Sequence, residues 1–204
     1  MKQKEIRVPK QKRSIEKKNT LKQTALELFA EKGYHNVTSN EIAKCSGISI
    51  GTFYSYFTDK KALYEELVGD LYEKILGQIN ITEVIESNPV KLIRTYIRLV
   101  MEGHAYMTAF QKEITSLSLQ YHEYRLLEEK YRSSATEKIM ILLSEYQEIL
   151  RVTDFSTVGM ILQNSLEAVI HEVQFYTTPY DKDIVIEELT DMFCRYLFKS
   201  EYLK

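Results

Sequence analysis

Between residues 38 and 60 the chain gathers side chains suited to holding a phosphate or touching the edge of a base. Thr38 and Ser39 stand where a helix should begin, so their hydroxyls and the unpaired backbone N–H groups there suit a phosphate oxygen. Lys60, at the start of a later helix, can pair with a second phosphate. The run from Ser49 to Tyr56 offers Ile50, Gly51, Thr52, Ser55 and Tyr56 as one outward face, with Phe53 and Phe57 turned inward. Gly51 permits close approach, and Ile50 or the methyl of Thr52 can meet the methyl of a thymine. No Arg, Asn or Gln lies between Ser49 and Asp59, so the strongest bidentate base readers are missing. Any sequence preference then leans on apolar contacts and on the shape of the duplex.

Other chemistries find less support. Paired carboxylates, a nucleophile elbow and a glycine-rich phosphate loop are all missing, so neither an enzyme nor a cofactor is expected. His104, Glu113 and His122 fit no metal-ligand spacing, and no metal is expected. Two cysteines, Cys45 and Cys194, are too few for a disulfide scaffold. No apolar run approaches the roughly 18–20 residues that cross a bilayer, and residues 1–20 are polar and basic, unlike a secretory signal. The expected location is the cytoplasm, with no membrane partner.

The elements that must position these residues are helical throughout. Seven glycines and three prolines in 204 residues leave little room for the turns of an all-β protein. A first helix opens near Ser14, carries Leu21, Ala25, Leu28 and Phe29 on one face and stops at Gly33. Thr38 and Glu41 have the spacing of a capping box for a short helix bearing Ile42 and Ala43. Gly47 makes the turn and Ser49 caps a second short helix. Asp59 caps a long fourth helix running to about Ile79, with Leu63, Leu67 and Leu71 in series. Asn88-Pro89 starts another helix to about Met107. Further helices are expected over about 109–119, 121–150, from Asp154 to about Tyr176, and from Asp181 to about Lys199.

Two short helices joined at Gly47 and braced by a first and a fourth make a helix-turn-helix, although a helical hairpin with a tyrosine-rich packing face would use the same spacing. The segment from Ala25 to Val68 resembles the DNA-binding head of TetR-family regulators. The matching positions are Ala25, Leu28, Phe29, Gly33, Thr38, Ile42, Ala43, Gly47, Ser49, Gly51, Thr52, Tyr54, Phe57, Lys60 and Leu63. Ser46 and Phe53 depart from the usual alanine and leucine. The resemblance covers about residues 14–68 and implies an all-α fold: a DNA-binding head joined by the fourth helix to a helical body for dimerisation and ligand binding. It further implies that Tyr54 contacts the DNA backbone, that Ser49 belongs with the DNA-binding set, and that the protein is a repressor. The expected division is a flexible basic arm over 1–13, the head over 14–60 and the body over 61–204.

Charge agrees with that division. Residues 1–61 carry 13 Lys and Arg against 6 Asp and Glu, whereas 62–204 carry 14 against 23. A basic head on an acidic body is what a polyanion partner asks for, though a solvated basic tail would count the same way. The helix from Asp154 has one broad apolar face through Val158, Leu162, Leu166 and Ile170. Beside it runs a second seam of Ile161, Ala168 and Phe175 at seven-residue intervals. The last helix adds Leu189, Phe193 and Tyr196. These six residues are expected at a homodimer interface, unless a thick monomer core absorbs both seams. The stripe of Gln163, Asn164, Glu167, His171 and Gln174 is simplest as a solvated face.

Tyr72, Ile75, His104, Met107, Phe110 and Tyr131 could line a pocket for an unidentified small-molecule effector, although such residues at helical spacing also build cores. The expectation is a sequence-specific regulator released from a palindromic double-stranded operator by an effector. The alternative is an architectural or partner-controlled DNA-binding protein without one.

Overall fold

The computed structural model describes residues 12–77, 88–105, 108–176 and 179–203. They form α-helices, short 3-10 turns and one isolated antiparallel bridge, with no extended strand among the described residues. The fold is all-α.

Helix α1 (Lys12–Lys32) ends at Gly33, whose φ of +77° is open to glycine at little cost, and a 3-10 turn over Tyr34–Asn36 follows. Helix α2 (Ser39–Cys45) and helix α3 (Ile50–Tyr56) are joined through Gly47, at φ +66°. Helix α4 runs Lys60–Gly77. Then come α5 (Pro89–Ala105), α6 (Thr108–Gln120), α7 (His122–Glu145), α8 (Phe155–Phe175) and α9 (Lys182–Leu197).

The caps lie where short-range chemistry puts them. The side-chain oxygens of Thr38, Ser49, Asp59, Asn88, Asp154 and Asp181 each accept a backbone N–H two or three residues on.

The described residues fall into two compact units. The first is the chain through Leu71 together with Ala109–Tyr124; the second is Tyr72–Thr108 with the chain from Arg125 onward. Leu21, Ala25 and Phe29 of α1 are buried in the first unit with Ile42, Phe53, Phe57, Leu63 and Tyr64. Each leucine, isoleucine or phenylalanine among them contributes about 1.5–3 kcal/mol on leaving water.

The expected head ended at residue 60, yet residues 61–71 and 109–124 pack with it. Phe110 lies 5.7 Å from the Tyr64 ring and 6.5 Å from Phe29. Tyr124 lies 5.4 Å from Tyr34, and Glu113 accepts the Tyr34 backbone N–H at 2.5 Å.

In the second unit, Ile97, Val100, Ile139, Leu143, Leu162, Leu166, Ile170, Leu189, Phe193 and Leu197 belong to one core. Helix α8 approaches α7 closely at Gly159, where a Cβ would come within 3.2 Å of Thr136. Leu150 and Phe198 form the isolated bridge. Arg151 N–H donates to Leu197 O and Lys199 N–H donates to Ile149 O, both at 2.9 Å.

Candidate nucleic-acid interface

The short helix α3 has two unlike faces, and burial separates them. Phe53, Tyr56 and Phe57 are at most 4% exposed and anchor the helix inward. Tyr54 is 43% exposed, Gly51 is exposed, and Ile50, Thr52 and Ser55 are half-buried. A Cβ at Gly51 would meet nothing within 4 Å. Glycine inside a helix costs roughly 0.5–1 kcal/mol relative to alanine, and no described residue of this chain requires that cost here.

Two of the expected contacts are corrected. Tyr56 is not groove-facing: it is buried, and its hydroxyl is 2.8 Å from Ser14 Oγ, tying α3 to the start of α1. Lys60 does not offer its charge outward as a phosphate partner. Its ammonium donates to Tyr34 O and Val37 O, both at 2.7 Å, and sits 4.1 Å from the Tyr34 ring centre. Those carbonyls close the turn into α2, so Lys60 braces the helix-turn-helix from behind. Burial pulls its pKa below the usual lysine range. The remaining candidates keep some exposure: Thr38, Ser49 and Gly51 are exposed, and Ser39 is half-buried.

The basic surplus of the head is partly consumed inside it. Lys18 and Lys22 pair with Glu66, Lys22 also with Asp70, Lys32 with Glu41 and Lys61 with Glu123. Lys12, Arg13, Lys17 and Lys44 are exposed and make no ion pair among the described residues. Most of the arm, residues 1–11, lies outside the described residues.

The expected pocket residues do not come together as a set. Tyr72 and His104 line one small cavity of about 30 Å³, joined by Tyr96, Val100, Ala135, Gln163, Leu166 and Glu167. Tyr131 stacks on Tyr72, with ring centres 4.9 Å apart and planes 5° from parallel. Phe110 is corrected to the core of the first unit. Met107 and the side chain of Ile75 lie outside the described residues.

The polar stripe on α8 is corrected in part: Asn164 is exposed as expected, while its other members are buried or half-buried. Gln163 is 6% exposed, and Glu167 pairs with Arg132 at 2.6 Å, its side chain only 16% exposed. Burial holds the Glu167 carboxyl above its usual range, opposed by Arg132. His104 and His171 are 5.6 Å apart, and burial lowers both imidazoles, His171 to about 4. The sequence hid this because a polar stripe facing a cavity has the same period as one facing water.

The expected dimer seam divides. Ile161 and Ala168 are exposed, and Phe175 is half-buried, stacked 4.3 Å from His171. Leu189 and Phe193 are corrected: both are about 5% exposed and belong to the core of their own unit, with Tyr196 packed partly against it. The outward side of α9 instead carries Ile184 and Met192, 63% and 48% exposed. No group of three His, Cys, Asp or Glu among the described residues is placed to hold a metal, and no described helix is long and apolar enough to cross a membrane.

Comparison with known proteins adds sequence and fold relatives. Residues 22–67 match the sequence profile of bacterial regulatory proteins, tetR family. Over 102 residues, half of this chain and 29% of the relative, there is 33% identity to the uncharacterized HTH-type transcriptional regulator YuxN of Bacillus subtilis. Identity to the fatty acid metabolism regulator protein of the same species is 28% over 103 residues, 48% of this chain and 53% of that one. The alignments thus span about half or less of these relatives' own length. The fatty acid degradation regulator FadR from Bacillus halodurans shares the fold, with a TM-score of 0.69 at 21% identity over 87% of this chain and 94% of that one.

Proposed function

We propose, from the match of residues 22–67 to the tetR family of bacterial regulatory proteins, that the chain is a transcriptional repressor that binds a palindromic operator as a homodimer and leaves it when a small molecule binds the body. The observation that carries DNA binding is the two-faced helix α3. Its aromatic face is locked into the head, while its other face presents Tyr54 and a glycine whose missing side chain makes room for no described residue of the chain. Thr38 and Ser39 at the start of α2, and Lys44 on its exposed side, are the phosphate contacts of this reading. Two-fold symmetry then places two copies of α3 about one helical turn apart or slightly more.

Gly51→Ala tests it directly. Alanine has room and favours helix, so the variant should be more stable by about 0.5–1 kcal/mol. On a duplex selected from a random pool it should nevertheless bind at least tenfold more weakly. A variant that is more stable and binds as well as the original would remove α3 from the interface.

Effector release rests on Tyr72. It lines the small cavity and lies on α4, the same helix that begins at Lys60 under the turn into α2. A volume of about 30 Å³ holds little more than a water molecule, so an effector must part the Tyr72, Tyr96 and Glu167 walls to enter. By reciprocity, operator DNA must weaken effector binding by the same factor that effector weakens DNA binding. Calorimetric titration of a candidate compound into free and operator-bound protein checks this; equal affinities reject the mechanism. The smallness of the cavity and the 83% exposure of Leu119 favour the second reading, control by a protein partner without a small ligand.

A further inference from the structure

The reading helix α3 has almost no polar side chain left to spend on a base. Ser49 Oγ and Thr52 Oγ1 share a hydrogen bond at 2.9 Å, and Ser49 Oγ also accepts the Thr52 backbone N–H at 3.2 Å. Ser55 Oγ donates to Thr52 O at 2.6 Å. Tyr56 is bound to Ser14, and Phe53 and Phe57 are buried. From Ser49 to Thr58 the chain has no Arg, Lys, Asn, Gln, Asp or Glu. Besides the hydrogen-bonded Ser49 and Ser55, the residues of α3 that keep exposure are Ile50 and Thr52, both half-buried, and Gly51 and Tyr54, both exposed.

Among the base edges of the major groove, only the C5-methyl of thymine is an apolar partner for such groups. We infer that Ile50 and the methyl of Thr52 set operator specificity by packing on thymine methyl groups, with Gly51 letting the helix come close enough for that contact. This rests on the DNA-binding reading above. The Thr52 hydroxyl already shares a hydrogen bond with Ser49, whereas its methyl is free of any such competing bond. On this inference Tyr54, 43% exposed, contributes to affinity and not to sequence preference.

The test works mainly on the DNA, so that protein folding does not enter. A duplex is selected from a random pool. Each thymine of one half-site is then replaced singly by deoxyuridine, which removes the methyl and keeps the pairing edges. At one or two positions Kd should weaken about fourfold, which is the value of one buried methyl or methylene, about 0.8 kcal/mol. On the protein side, Thr52→Ser keeps the hydroxyl and loses the methyl, whereas Thr52→Val does the reverse. In both, Ser49 Oγ still faces the backbone N–H of residue 52. Thr52→Ser should abolish the thymine preference at one of those positions, Thr52→Val should preserve it, and Ile50→Ala should abolish it at the other.

Deoxyuridine tolerated at every position, or a thymine preference that survives Thr52→Ser but not Thr52→Val, overturns the inference while leaving DNA binding intact. Failure to select any duplex overturns the DNA-binding reading itself.

Discussion

Lys60 and Lys44 are both lysines at the edge of the helix-turn-helix, and the structure places them in opposite settings. Lys60 is turned inward onto two carbonyls and the Tyr34 ring, while Lys44 is exposed on α2. Removing Lys60 leaves two carbonyls short of a charged donor, each such bond being worth about 1.5–3 kcal/mol. Lys60→Ala should therefore loosen the turn into α2 and weaken binding to every duplex, with the slope of log K against log salt unchanged. Lys44→Ala should leave the fold intact and reduce that slope by about 0.9 for each phosphate it no longer neutralises. Titrations at several salt concentrations separate the two; a reduced slope for Lys60→Ala would return its charge to the DNA. Sequence alone misplaces Lys60 and Tyr56 for the same reason. Both carry a long side chain whose polar tip can turn either way, and the partners that decide, Tyr34 and Ser14, lie 26 and 42 residues distant. Phe53 and Phe57 have no such ambiguity and were legible at once.

At the scale of the helices, what is local was readable and what is long-range was not. Capping needs only a hydroxyl, amide or carboxylate two or three residues before an N–H, so six helix starts follow from the sequence. That α6 packs with the head follows from no local rule: Glu113 reaches Tyr34 across 79 positions. The same limit explains α9. A helix with apolar residues on two sides does not say which side meets its own core, and Leu189 and Phe193 took that side. Among the described residues, Met160, Ile161 and Ala168 on α8 and Ile184 and Met192 on α9 keep exposed apolar side chains, and self-association through them is the prediction that replaces the expected seam. Ile161→Asp or Met192→Asp should give a folded monomer by sedimentation, because neither side chain is needed inside. Wild-type protein that sediments as a monomer at micromolar concentration would reject this surface.

For the whole molecule, the histidine pair makes stability depend on pH. Folding holds His171 at about 4, against an unfolded value near 6.5, and lowers His104 as well. The unfolded chain therefore binds more protons between those values. The histidines' share of stability is full above about pH 6.5 and is lost as pH falls through the window toward 4. Because His171 is only half-buried, solvent screening trims its share to roughly 1–2 kcal/mol. Melting temperatures should fall between pH 7 and pH 5, and His171→Asn should flatten that fall. An equally steep decline in the variant would place the proton uptake elsewhere. Because the proposed DNA contacts and the imidazoles belong to different compact units, the pH effect should be the same with Thr52→Ser in the background.

The aromatic packing of the head has an optical consequence. The chain has 15 tyrosines and no tryptophan, so its near-ultraviolet signal comes mainly from tyrosine. Tyr34, Tyr64 and Tyr124 form a triangle with ring centres 4.9–5.4 Å apart, close enough to exchange excitation and to be held in a fixed chiral array. Tyr72 and Tyr131 form a separate, nearly parallel pair. Circular dichroism in that band vanishes when side chains lose fixed packing, even where helices persist. Tyr64→Phe would silence one chromophore of the triangle, and Tyr131→Phe one of the pair. Difference spectra of these two variants would follow each compact unit through a denaturant series without any attached label.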